Sequence, residues 1–157
     1  MIPRIGERVL VEQRYTRRPG VYAIVLSGSS VLLTHQMSPE PEFQLPGGGV
    51  DPGEQPIAAL HREVFEETGW SVRLLRHAGM FRRFTYMPEY DLWAEKLCGI
   101  YLCRAVQRRG PPAEAGHSAH LMPLPLAVEA VGNAGDALLL RRAARRFPQL
   151  FGAGGRL

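Results

Sequence analysis

Lysine is almost missing from this chain: Lys96 is the only one among 157 residues, beside 18 arginines. The arginines keep company with 17 glycines, 13 prolines and many alanines, all drawn from GC-rich codons. Base composition therefore accounts for the formal charge of +4 as well as an anionic partner would. No nucleic-acid partner is expected on charge alone. Cysteine is scarce as well. Cys98 and Cys103 have an odd spacing in a strand-like segment, which puts their side chains on opposite faces and argues against a bridge between them. A reducing, cytoplasmic setting is the expectation. No apolar run reaches the roughly 20 residues that span a bilayer, so no membrane association is expected. Charges interrupt each apolar stretch of MIPRIGERVLVEQRY, so a secretory leader is not expected either. Repeats, low-complexity tracts and linkers are lacking too. The length suits one domain over residues 1–157 with its own core.

What is present is a mixture of strand and helix signals without the regular alternation of a doubly wound sheet. Val21–Leu26 is rich in β-formers, and Val31–Thr34 follows at hairpin distance. Phe43–Leu45 is a short strand halted by a Pro46–Gly49 loop. Residues Gln55–Thr68 form a helix, with Pro56 tolerated in its first turn and Gly69 closing it. Val72–Leu75 starts a strand that continues past Gly79, and Leu97–Val106 and His120–Leu124 are further strands. Asp136 is placed to cap a last helix. There Leu139, Leu140, Ala143, Ala144 and Phe147 recur at helical spacing, Arg141, Arg142, Arg145 and Arg146 face solvent, and Pro148 ends the helix. Such a mixture predicts a compact α/β or α+β sandwich.

Chemistry concentrates in Gly48–Trp70, GGVDPGEQPIAALHREVFEETGW. The glycine loop lets backbone approach a ligand closely because no Cβ intervenes. In the helix, at about 100° per residue, Glu66 lies roughly 60° to one side of Glu63 and Glu67 roughly 40° to the other. Three carboxylates thus share one narrow face. Ala59, a turn earlier, leaves room above them, and Ile57, Leu60 and Val64 form a neighbouring apolar stripe. Like charges at these spacings repel by a few tenths of a kcal/mol per pair, more in a cleft, unless a cation neutralises them. Oxygen donors of this kind suit Mg²⁺ or Mn²⁺. Three glutamates alone would more often be a solvated helix face.

Their setting resembles the Nudix box, Gly-x5-Glu-x7-Arg-Glu-U-x-Glu-Glu-x-Gly-U, with U a bulky apolar residue. Gly48, Glu54, Arg62, Glu63, Val64, Glu66, Glu67, Gly69 and Trp70 fill each fixed position, Trp70 being larger than the usual aliphatic residue. The resemblance implies a Nudix-type α/β/α sandwich with a mixed β-sheet. It implies hydrolysis of a diphosphate linkage in a nucleoside diphosphate joined to another moiety: a nucleoside triphosphate, an oxidised nucleotide, ADP-ribose or a dinucleoside polyphosphate. Glu63, Glu66 and Glu67 would hold the metal, with the Gly47 carbonyl as a further ligand. Arg62 would orient the carboxylates, most simply through Glu66, while Glu54 steadies the loop and contributes to the metal's water shell. The general base would be Glu63, Glu66 or Glu114 in a later loop, with His117 and His120 as competing choices. Arg82 or Arg83 would grip phosphate, and Phe84, Tyr86, Tyr90 or Trp93 would stack on a base, although an alternation of core aromatics and solvated arginines explains that segment equally. The partner would be a small nucleotide-type molecule, and relatives that pair make a homodimer an open expectation. A non-catalytic, nucleotide-sensing domain is the alternative.

Overall fold

The computed structural model describes residues 1–152; the last five residues of the expected 1–157 domain lie outside them. Its elements are β1 (Thr16–Ser27), β2 (Ser30–Gln36), β3 (Glu42–Gln44), β4 (Gly47–Gly49), α1 (Pro56–Thr68), β5 (Trp70–Met87), β6 (Leu92–Arg108), β7 (His117–Pro123), α2 (Leu124–Ala130) and α3 (Ala134–Arg146). The seven strands make one mixed sheet. Along β3-β2-β1-β6-β5 only β1 and β6 run parallel, β4 joins β1, and β7 joins β2.

Strand β1 shows why the sheet needs helices on both faces. Its side chains alternate, as a pleated strand requires. Val21, Ala23 and Val25 are buried towards α1, where they meet Ala59, Leu60 and Val64. Ile24 and Leu26 point the other way, into a core that holds Leu124 and Val128 of α2 and Leu139, Leu140 and Ala143 of α3. Each of these larger aliphatic side chains contributes about 1.5–3 kcal/mol by leaving water. The α/β/α sandwich with a mixed sheet is therefore the observed architecture. Cys98 belongs to the α2/α3 core and Cys103 to the α1 core, on opposite faces as their spacing predicts. Among the described residues no helix is long and apolar enough to cross a membrane.

Several elements depart from expectation. The Pro46–Gly49 loop contains a strand: Gly47–Gly49 pairs antiparallel with Gly20–Tyr22. Helix α2 begins after Pro123, with prolines absorbed where amides have no helical partner anyway. The segment between Phe81 and Trp93 is the tip of a long β5–β6 hairpin rather than a stretch between strands. Asp136 is not the cap of α3. The Asn133 side chain accepts from the amides of Gly135 and Asp136 at 2.8 and 3.3 Å, leaving Asp136 buried one turn inside. Ala59 packs in the α1 core instead of opening space above the glutamates.

Candidate active site

The helix that carries the glutamates is held by glycine chemistry at its C-terminal end and along the face turned to the sheet. Its C-terminus closes on Gly69, whose φ of 73° is the left-handed conformation that favours glycine. A Cβ on Gly69 would collide with the Gly110 carbonyl, so this residue also lets the loop after β6 come close. That loop is then tied to α1. The amides of Ala113 and Glu114 both donate to the Glu66 carbonyl, at 2.9 and 3.0 Å. The orphan carbonyls of a helix end thus hold the acidic loop in place.

On the sheet side of the helix, Gly47 sits with a φ of 153°, and a Cβ there would strike the Val21 carbonyl. Its amide donates to Glu67 Oε2 at 3.1 Å. Gly48 lies under the carboxylate of Glu63. Both approaches follow from β4 lying against β1, because that pairing brings the glycine backbone over the helix.

Glu67 is buried. Burial, opposed by the Gly47 amide and reinforced by the charges of Glu114, Glu63 and Glu66, pushes its carboxyl up to about 8. Burial also raises Glu63, against the pull of Arg62. His117 reaches into the same place. Its Nδ1 stands 3.0 Å from the Oγ1 of buried Thr34 and 3.9 Å from Glu67 Oε1, and its Nε2 stands 3.7 Å from Glu114 Oε1. Two donor groups result, Glu63–Glu66–Glu114 and Glu67–Glu114–His117, and within each the donor atoms lie within 4.8 Å of one another. A set of carboxylate oxygens with one imidazole, poor in neutralising cations, fits a hard divalent ion.

Arg62 is the one guanidinium inside this arrangement, and its main partner differs from the expected one. It forms a fork on Glu54, from Nε at 2.8 Å and Nη2 at 3.0 Å, and donates to Glu63 at 2.8 Å. Glu66 is the weaker contact at 3.3 Å, and Nη2 also donates to the Gly49 carbonyl at 3.2 Å. A planar fork can satisfy several carboxylates at fixed angles, which a point charge cannot. Arg62 and the Asp51 amide hold Glu54 down at about 2. Glu54 is thereby bonded to the loop through the Asp51 amide and to the helix through Arg62.

Glu63 and Glu67 border a cavity of about 370 Å³, and Glu66 is not among its wall residues. Glu63, Glu67, Glu114 and His117 line one part, with Gly47, Gly48 and Gly49 beside them. Arg83 and Tyr86 line it as well, whereas Arg82 and Phe84 are not among its wall residues. Strand alternation separates Arg83 from Arg82 and Phe84, while Tyr86, out of that phase, reaches the cavity at the hairpin tip. Arg83, Thr85 and Met87 share the cavity face; Arg82 lies 3.5 Å from Glu95, and Phe84 stacks edge-on against Tyr15. Tyr90 borders the cavity, and Trp93 and His120 do not. Arg18, Tyr22 and Lys96 also form its wall, and in the sequence only the solitary lysine stands out among them.

Residues 16–143 match the NUDIX domain. The chain belongs to the Nudix family. Solved structures of Nudix proteins share its fold. A NUDIX hydrolase from Nitrosomonas europaea superposes with a TM-score of 0.68 at 16% identity, over 90% of this chain and 97% of that one. The MutT protein from Methanosarcina mazei Go1 gives 0.66 at 19% identity, over 84% and 96%. Among curated relatives, a Bacillus subtilis protein named "Putative 8-oxo-dGTP diphosphatase" is 36% identical over 80 residues, 51% of this chain and 54% of that protein. An RNA pyrophosphohydrolase of Helicobacter pylori is 42% identical over 57 residues, 33% of this chain and 37% of its own length. The Nudix chain thus spans about half or less of the curated relatives it matches.

Proposed function

We propose that this chain is a pyrophosphohydrolase that uses Mg²⁺ or Mn²⁺ to cut a diphosphate linkage in a nucleotide-type substrate. One observation carries the reading: the box carboxylates Glu63, Glu66 and Glu67 and the loop carboxylate Glu114 fall into two donor groups joined at Glu114, and Glu63, Glu67 and Glu114 line a cavity large enough for a nucleotide. Glu63, Glu66 and Glu67 hold the metal in this reading, with the Gly47 carbonyl as a further ligand. The bound ion supplies charge neutralisation for the phosphate oxygens and acidifies a coordinated water.

The residues of the chain do the rest. Water attacks one phosphorus, the bridging P–O bond breaks, and the water proton passes to a carboxylate. Glu114 takes that role most readily, since it touches both donor groups and sits on a loop tied to the helix; Glu63 and Glu66 are the candidates within the box. Arg62 holds Glu63 in place, and Arg83 and Tyr86 border the space for substrate.

The relatives' names put an oxidised nucleoside triphosphate and an RNA beside ADP-ribose and dinucleoside polyphosphates as substrates. The reading takes residues 1–157 as one domain, active in the cytoplasm as a monomer or homodimer. It is tested by nucleotide and phosphate release from such a panel with Mg²⁺, Mn²⁺ or chelator, using wild type and Glu67→Gln. Metal-dependent cleavage that Glu67→Gln abolishes supports it. Folded, metal-binding protein that cleaves none of the panel would turn the reading towards nucleotide sensing.

A further inference from the structure

Three neighbouring strands present three cations to the cavity in one row. Arg18 of β1 is the register partner of Lys96 of β6, and Lys96 is the partner of Arg83 of β5. Paired positions on adjacent strands point to the same face about 4.8 Å apart, and like charges placed so destabilise the sheet. All three residues line the cavity.

One residue earlier, on the reverse face, the same strands balance their charges. There Glu95 stands in the middle strand, 3.5 Å from Arg17 and 3.5 Å from Arg82. On the cavity face the middle place belongs to Lys96.

The outer two cations have company. Glu7 takes the Arg83 guanidinium on two oxygens, with Nε at 3.0 and 2.9 Å, and Arg18 lies 4.7 Å over the ring of Tyr90. Beside Lys96 stands the Tyr22 side chain, its ring centroid 5.6 Å from the ammonium. Among the described residues no carboxylate oxygen lies within 4.0 Å of the Lys96 ammonium. A half-buried ammonium without an anion, between two other cations, costs stability unless a ligand supplies the negative charge. The carboxylates of Glu7 and Asp136 act on Lys96 only from beyond 4.0 Å.

We infer that Lys96, with Arg18 and Arg83 at its sides, binds a phosphate group of the substrate that is not held at the glutamates. The inference rests on the hydrolase reading for its substrate but not for its site. The Tyr22 ring packs against Gly47, and Gly47 in turn bonds to Glu67, so ring and backbone intervene between Lys96 and the acidic wall. With both phosphates of the cleaved linkage at the glutamates, a further phosphate at Lys96 makes the substrate class a chain of three or more phosphates, as in a nucleoside triphosphate, rather than a diphosphate ending in a sugar.

The test is calorimetry of inorganic tripolyphosphate and pyrophosphate with the metal chelated. Wild type is expected to prefer tripolyphosphate. Lys96→Met should weaken it by about tenfold or more, the scale of one charge-assisted bond, while Lys96→Arg keeps most of the affinity. Glu67→Gln, which removes charge from the acidic wall, should bind it no more weakly than wild type. With metal present, Lys96→Met should raise KM for a nucleoside triphosphate and leave KM for ADP-ribose in place. Wild type that ignores tripolyphosphate, or Lys96→Met that binds it equally well, overturns the proposal. Absence of turnover on every substrate would instead count against the hydrolase reading, and the metal-free calorimetry would still decide the site.

Discussion

The carboxylate of Glu63 rests on the bare Cα of Gly48, so closely that a Cβ there would lie 2.5 Å from its Cδ and Oε2 and 2.8 Å from its Oε1. The obstructed group is the far end of a flexible side chain, which can swing aside at small cost. Gly48→Ala is therefore expected to melt close to wild type, within about 1 kcal/mol, while moving Glu63 and lowering turnover by about 10²-fold. Gly47→Ala meets fixed backbone at Val21 and should lose the fold's cooperativity together with activity. Thermal melts and steady-state rates on the two variants separate these effects; equal behaviour of the pair would contradict the geometry.

Arg62→Lys keeps the charge and loses the fork shared among Glu54, Glu63 and Glu66. Groups that orient metal ligands are worth about 10–100-fold in affinity. Titration of Mn²⁺ by electron paramagnetic resonance should show a loss of that order. An unchanged Mn²⁺ affinity would mean that Glu63 and Glu66 hold their positions without Arg62.

Asp136 ties pH to stability. Burial raises its carboxyl from 3.8 to about 7, against the opposing pull of the Leu45 amide, Lys96 and Arg83. Below the unfolded value both states are protonated and the group contributes nothing. Between there and about 7 only the folded state keeps the proton, so stability falls as pH rises, and the penalty is complete above 7. Asp136→Asn should accordingly match wild type near pH 4 and surpass it at pH 8 in urea denaturation. A difference that is the same at both pH values would show that Asp136 ionises normally.

Phe81 is fully buried, with its ring over Gly135 in the first turn of α3. Phe81→Ala removes the contact that seats this helix on β5 and should cost about 3–5 kcal/mol. Gly135→Ala reaches the same contact by overfilling it, at about 1–3 kcal/mol. Chemical denaturation of each variant checks the order of the two losses.

The sequence makes α1 legible because its pattern is local: glutamates on one face, apolar residues on the next, proline at one end and glycine at the other. The opposite placement of Cys98 and Cys103 is legible for the same reason, since alternation along a strand needs no knowledge of its neighbours. Strand β4 is not legible. Three glycines carry no β preference, and only β1 alongside makes Gly47–Gly49 extended. The Arg62 fork on Glu54 escaped because it depends on how tightly the Asp51–Glu54 turn folds back over the helix. The row Arg18–Lys96–Arg83 joins residues far apart in the chain through strand register, which no single-segment pattern encodes.

Suspending residues 113 and 114 from the Glu66 carbonyl has a consequence for how this enzyme family member can change. The two hydrogen bonds use main-chain amides alone, so the hanger is indifferent to which side chains the loop carries. An acid at 114 can be exchanged for another proton acceptor, or for none, without loosening α1. Side chains on the loop and anchors on the helix are then free to drift at separate rates, which makes Gly110–Gly116 a place where a catalytic group can be grafted.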